Sequence, residues 1–288
     1  MKLALGTAQF GLKYGIANAT DQTDRADIHR ILERGSHSGM DTLDTAVLYG
    51  DSESILGALG VENWRVVSKL PAVPLDCISV EKWVIGQLLQ SRKRLGVVQL
   101  YGVLLHRPMQ LLGGTGREIY AALNQAKDLG LVKKVGLSVY SPSELNSLFN
   151  RYPVDLIQAP FNIFDRRLVD SGWGKVLKSR GVEVHTRSTF LQGLLLMSAG
   201  SRPPKFNRWK ALWSEFDHWL DREGLTRLQA CLGYALSSSL IDRVIVGVDT
   251  LEHLDQILEV GEEMVPNVPE FKDLLEDDLL DPSRWNLL

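Results

Sequence analysis

Four ionisable residues follow three successive apolar runs of the chain. Asp44 and Tyr49 lie in Asp44-Thr45-Ala46-Val47-Leu48-Tyr49-Gly50, Lys69 ends Ser68-Lys69, and His106 ends Leu104-Leu105-His106. A tyrosine hydroxyl titrates near ~10, so alone it protonates a developing alkoxide only modestly at neutral pH. A buried lysine ammonium beside it favours the phenolate and lowers that value. Asp44 would hold Lys69 in place and keep it charged, while His106 could donate a hydrogen bond to a carbonyl oxygen. Such a set suits carbonyl reduction, with hydride reaching carbon from a cofactor and the proton reaching oxygen from Tyr49. Each residue alone has a plainer reading: a turn-forming Asp, a packing Tyr with a wet hydroxyl, a solvated Lys and a rim His. Their placement on consecutive runs is what favours the joint reading.

The elements that would position them also follow from the sequence. Short apolar runs recur at Lys2–Leu5, Met40–Leu43, Arg65–Ser68, Val98–Leu105, Lys134–Leu137, Asp155–Ile157, Val182–Val184 and Arg243–Val246. Near-continuous apolar runs of this kind mark parallel strands covered on both faces. Helical stripes lie between them: Ile28, Ile31, Leu32 and Gly35; Val84, Ile85, Leu88 and Leu89; Leu225, Leu228, Leu232 and Leu236; Leu251, Leu254 and Leu258. Ser141-Pro142-Ser143-Glu144 reads as a capping box, and Asp249 to Glu252 repeats its spacing. Gly130 and Gly181 stand where helices should stop. Eight strand–helix alternations predict one α/β domain over residues 1–288, a (β/α)₈ TIM barrel with reactive groups at the strand C-termini. An open doubly wound sheet competes less well. Gly6-Thr7-Ala8-Gln9-Phe10-Gly11 is not GxGxxG, and Gly113, Gly114 and Gly116 match no phosphate loop and read as a flexible loop.

Composition narrows the classes. The 288 residues carry a net charge of −3, with 44% hydrophobic and 23% charged. That balance argues against nucleic acid or an anionic membrane as partner, and no run is long enough to span a bilayer. The first residues are interrupted by Thr7, Gln9 and Lys13 and are too short for a secretory leader. Cys77 and Cys231 have no metal-ligand spacing and read as reduced, packed thiols. A cytoplasmic monomer or small homo-oligomer without a metal is expected.

Asp44-Thr45-Ala46 to Tyr49-Gly50, Ser68-Lys69 and Leu104-Leu105-His106 together resemble the catalytic tetrad of the aldo-keto reductase superfamily, in order and context, and the similarity runs over nearly the whole chain. The resemblance implies NADPH or NADH as hydride donor, Tyr49 as general acid and a small aldehyde or ketone as substrate. It places Gly6, Thr7 and Asp44 beside the cofactor. Gly136-Leu137-Ser138 resembles a motif whose Ser meets the nicotinamide carboxamide, but Val139 stands where an Asn is usual. Gln158, opening Gln-Ala-Pro-Phe-Asn-Ile-Phe-Asp-Arg, is the implied carboxamide partner. Arg187 occupies the place of an aromatic on the nicotinamide face, and Ser188, Leu191 and Gly193 fall at the implied pyrophosphate site.

After the last run, Gly247-Val248-Asp249-Thr250-Leu251-Glu252-His253 lacks the Lys or Arg that usually grips a 2′-phosphate. Only His253 could be positive there, Asp249 reads more plainly as a helix N-cap, and Gln256 could reach the adenine. Gln9, Tyr14 and Arg107 are candidate substrate contacts on the rim loops, with Tyr49 and His106, while Trp209, Trp213 and Trp219 read as packing residues. Two other classes stay open: a barrel isomerase or lyase using Tyr49 and Lys69 as acid and base, and a nucleotide-binding regulatory protein.

Overall fold

The computed structural model describes residues 1–18, 22–260, 265–271 and 275–288. Eight parallel strands close in sequence order into a barrel: β1 (Leu3–Gly6), β2 (Thr42–Asp44), β3 (Arg65–Leu70), β4 (Leu100–Leu105), β5 (Val132–Ser138), β6 (Leu156–Pro160), β7 (Glu183–Arg187) and β8 (Arg243–Gly247). Closure is made by β1 against β8, from Leu3 opposite Val244 to Gly6 opposite Gly247. Helices cover the outside, so the strands are buried on both faces and read as apolar runs. Val67, Leu104 and Leu156 fill the barrel interior as a small separate cluster.

Strand ends shift in ways that matter for the site. β2 begins at Thr42 and includes Asp44, β7 extends to Arg187, and β4 begins at Leu100, where its pairing with β5 starts, leaving Val98 exposed outside it. The segment after β4 is not an irregular loop. Pro108–Leu112 forms a 3₁₀ turn, and Gly116 opens the helix Gly116–Asp128 so close to Leu111 that a Cβ would sit 1.8 Å from its carbonyl oxygen. Leu89 faces solvent, and Leu225 precedes the helix Arg227–Ser237, whose N-cap is Thr226. Cys77 is only half-buried, whereas Cys231 is fully buried.

Other expectations hold. Ser141 and Glu144 form the reciprocal capping box, Gly130 and Gly181 both adopt φ of +68°, and the three tryptophans are buried. Beyond the helix Leu251–Glu259, the chain returns under the barrel's aromatic flank. Phe271 packs 4.9 Å from Phe164 and Trp285 4.9 Å from Phe206, ring centre to ring centre. Among the described residues no helix is long and apolar enough to cross a membrane.

Candidate active site

Alternation along adjacent parallel strands turns Asp44 of β2 and Lys69 of β3 into the barrel, where neither reaches bulk water. Lys69 Nζ donates to both carboxylate oxygens of Asp44 (2.8 and 2.7 Å), to the Thr45 carbonyl (3.0 Å) and to the Tyr49 hydroxyl (3.3 Å). Lys69 is 1% exposed. Burial alone would lower its pKa, but the Asp44 carboxylate and the Tyr49 hydroxyl outweigh it, so the net displacement is upward and the ammonium persists. Four acceptors around one ammonium are what make so buried a charge tolerable. Its Nζ also lies 4.8 Å from the Tyr49 ring centre.

His106 follows β4 and meets Tyr49 edge to face, with ring centres 6.1 Å apart. Burial, then the nearby Lys69 charge, push its pKa down to about 4. The imidazole is therefore neutral at pH 7 and offers an N–H without adding charge. Its Nδ1 is buried and has no hydrogen-bond partner among the described residues.

A second set of contacts holds Asp44 and Tyr49. Gln158 Nε2 donates to Asp44 Oδ1 at 2.7 Å, and Ser138 Oγ donates to Gln158 Oε1 at 3.4 Å. Ser138 and Gln158 thus extend the buried chain of polar groups that runs through Asp44 to Lys69 and Tyr49. The Thr7 amide and hydroxyl both donate to the Asp44 carbonyl at 3.0 Å. Gly11 and Gly50 let two loops meet backbone to backbone beside Tyr49. A Cβ on Gly11 would lie 1.8 Å from the Tyr49 carbonyl oxygen, and one on Gly50 would lie 2.2 Å from the Gly11 oxygen. Gly50 also needs φ of +54°. Behind β3, buried Glu53 accepts from Ser68 (2.6 Å) and Arg94 (2.8 Å), tying the helix Ser52–Leu59 to the helix Val80–Leu95.

A cavity of about 620 Å³ opens beside Tyr49. Gly6, Thr7, Gln9, Tyr14, Asp44 and Tyr49 line it, as do Arg187, Ser188, Gly193, Gly247, His253 and Gln256. Lys69, Ser138 and Gln158 lie behind this wall. His106 and Arg107 stand beside the cavity rather than in its lining. Leu191 is fully buried, and its amide donates to the Ser188 carbonyl at 2.9 Å. The segment it belongs to carries unusual backbone: Ser188, Leu191 and Gln192 have φ of +63°, +49° and +55°, and Gly193 has φ of +90°. Left-handed non-glycine residues in series concentrate strain at the cavity wall.

Residues 14–18 cross the cavity. The Ile16 amide donates to the Gln192 carbonyl at 3.1 Å, and Asn18 Nδ2 donates to Asp249 Oδ1 at 3.1 Å. Asp249 is therefore not the helix cap. Thr250 is, its hydroxyl accepting from the His253 amide at 3.2 Å, because Asp249 turns into the cavity wall. Burial raises its pKa. At Gly247 a Cβ would sit 2.3 Å from Gln9 Nε2, so the Gln9 amide lies over bare backbone.

Sequence reasoning missed three residues. Gly11 carries no motif of its own, and buried Glu53 reads as a surface acid of a helix. Arg227 lines the cavity from the first turn of its helix, paired with Asp217 at 2.6 Å. The Thr226–Gln229 capping box could have marked that helix start, although nothing in it shows which cavity the next residue faces.

Among curated proteins no sequence matches this chain. Solved structures share its fold. An aldo-keto reductase of Bacillus halodurans in its holo form is similar with 19% identity and a TM-score of 0.71, covering 98% of this chain and 95% of that one. A Pseudomonas aeruginosa protein described as an aldo-keto reductase is similar with 20% identity and a TM-score of 0.66, covering 90% and 88%. Residues 2–272 match the model of the Aldo/keto reductase family, and the chain belongs to that family of oxidoreductases.

Proposed function

We propose that this protein is an NADH- or NADPH-dependent reductase of a small aldehyde or ketone, with Tyr49 as general acid. The observation that carries the reading is the buried Lys69 ammonium, held by Asp44 and donating to the Tyr49 hydroxyl at 3.3 Å. A permanent positive charge there stabilises the negative charge left on the Tyr49 oxygen as its proton passes to the developing alkoxide. Neutral His106 donates to the same carbonyl oxygen and orients it without competing for the proton. Bound nicotinamide would supply the hydride to the carbonyl carbon.

The residues present fit a dinucleotide. The cavity volume falls within the ~300–1,000 Å³ usual for ligand sites, and its lining brings the polar groups of Arg187, Ser188, His253 and Gln256 to one space. Ser138 and Gln158 would hold Asp44 in place behind the nicotinamide end, while Ser188 and Gly193 would serve the pyrophosphate, and His253, Gln256 and Arg227 the adenosine. Asp249 disfavours a 2′-phosphate beside it, and Arg227 offers a cation on another wall. A cytoplasmic monomer or small homo-oligomer, one domain over 1–288, completes the proposal.

Titration of NADH and NADPH by fluorescence quenching, followed by nucleotide oxidation with a panel of aldehydes and ketones, tests it. Saturable binding of at least one nucleotide and carbonyl-dependent oxidation are expected. Failure to bind either nucleotide would overturn the proposal.

A further inference from the structure

The charges that line the cavity are answered, with one exception. Asp44 is paired with Lys69 at 2.7 Å, Arg227 with Asp217 at 2.6 Å, and Asp249 accepts from Asn18 with His253 at 3.9 Å. Arg187 meets only neutral oxygens: Nη2 donates to the Val139 carbonyl at 3.1 Å and Nη1 to the Ser188 hydroxyl at 3.3 Å. Among the described residues no carboxylate lies within ion-pair distance of it. A guanidinium keeps its charge at every relevant pH and carries five N–H donors in a rigid fork.

This one is also fixed in place. Its carbon lies 4.9 Å from the centre of the Tyr140 ring, and the guanidinium of Arg107 lies 5.3 Å from the same ring. Two cations thus lie against one aromatic ring. The neighbours register the field. Arg187 and Arg107 both contribute to the lowered pKa of His106, and Tyr14 responds to both Tyr49 and Arg187. Arg187 therefore stands within electrostatic reach of His106, the residue that orients the carbonyl, and lines the same cavity as Tyr49.

Closing a neutral substrate over Arg187 would strip water from an uncompensated charge, which is costly. An oxyanion on the substrate would satisfy the N–H donors of the guanidinium that Val139 and Ser188 leave unclaimed, with charge-assisted hydrogen bonds. Because the fork is pinned by backbone and ring, little side-chain entropy is lost on binding.

We propose that Arg187 anchors an oxyanion on the substrate, so that the carbonyl compound reduced here carries a carboxylate or phosphate close to its reacting centre. The inference rests on the reductase reading and names the substrate class of that site. Arg107, exposed at the same rim, adds attraction for an approaching anion.

Matched substrates test it: succinic semialdehyde against butanal for the carboxylate, and glyceraldehyde 3-phosphate against glyceraldehyde for the phosphate. Wild type, Arg187→Gln and Arg187→Lys are compared at saturating nucleotide, with nucleotide affinity measured separately by fluorescence. The charged member of one pair should be preferred at least tenfold in kcat/KM, and the pair in which this appears identifies the oxyanion. In Arg187→Gln that ratio should collapse towards one through KM for the charged member, and Arg187→Lys should retain part of it. A calorimetric titration of succinate and inorganic phosphate into the enzyme–nucleotide complex needs no turnover. One of the two should bind at least tenfold more weakly to Arg187→Gln. Equal handling of charged and neutral members by wild type, or equal losses for both in Arg187→Gln, overturns this inference alone. Absence of nucleotide binding, or of turnover of any carbonyl, overturns the reductase reading and this inference together.

Discussion

At the scale of single residues, the site is a buried charge made stable by its neighbours and then used through one hydroxyl. Lys69 has no water to fall back on, so Asp44 bears most of the cost of its burial. Asp44→Asn, which leaves the ammonium uncompensated, should destabilise the protein by about 3–5 kcal/mol. Urea unfolding at pH 7 would measure this, and a change under about 1 kcal/mol would mean that water or another anion reaches Lys69. His106 predicts a pH dependence. It takes up a proton near pH 6.5 when unfolded but only near about 4 when folded. The unfolded chain therefore binds more protons between those values, and stability falls as pH drops through that window, by at most about 3 kcal/mol. In His106→Gln this share of the loss should vanish, which urea midpoints at pH 7 and pH 4.5 would reveal. Asp44, Tyr49, Lys69 and His106 were legible in the sequence because each ends or follows an apolar run. Arg227 and Glu53 were not, because their meaning depends on what their helices pack against.

At the scale of elements, strands position the tetrad, while loops decide whether it is in register. The barrel strands were legible because parallel strands buried on both faces leave near-continuous apolar runs. Their ends were less so: apolar character stops before β2 and β7 do, since Asp44, His185 and Arg187 are polar yet face inward. The Asp249 expectation failed by one residue because Asp and Thr both cap helices well, and only the cavity distinguishes them. The contact between Gly11 and Gly50 is the most demanding loop feature, and it predicts a sharp effect. Gly11→Ala puts a methyl group 1.8 Å from the Tyr49 carbonyl oxygen. Tyr49 must move away from Lys69, so kcat should fall at least about tenfold, with a stability loss of about 1–3 kcal/mol. Steady-state kinetics and thermal unfolding of the purified variant would check both; wild-type kcat would mean that the loops separate without disturbing Tyr49.

At the scale of the whole molecule, β1 and β8 close the barrel, and Lys2 adds a clasp by donating to the Leu236 and Ser238 carbonyls at 2.9 and 3.1 Å. The role of the described residues after the last barrel helix emerges in packing. Trp285 is 3% exposed, donates to the Leu279 carbonyl at 3.1 Å and packs on Phe206. Arg166 donates to the Pro269 carbonyl at 2.6 Å and lies over Tyr234 and Phe271. Trp285→Ala should therefore cost about 3–5 kcal/mol. A melting temperature unchanged from wild type would show that this segment is an appendage rather than part of the core.

The central claim is that Lys69 and Asp44 make Tyr49 the proton donor to a carbonyl oxygen. Single-turnover nucleotide oxidation by wild type and Tyr49→Phe, both saturated with nucleotide and mixed with the same carbonyl substrate, tests it most directly. The rate should fall at least about a hundredfold in the variant while nucleotide affinity stays within a factor of about two. Oxidation at the wild-type rate in Tyr49→Phe would contradict the account.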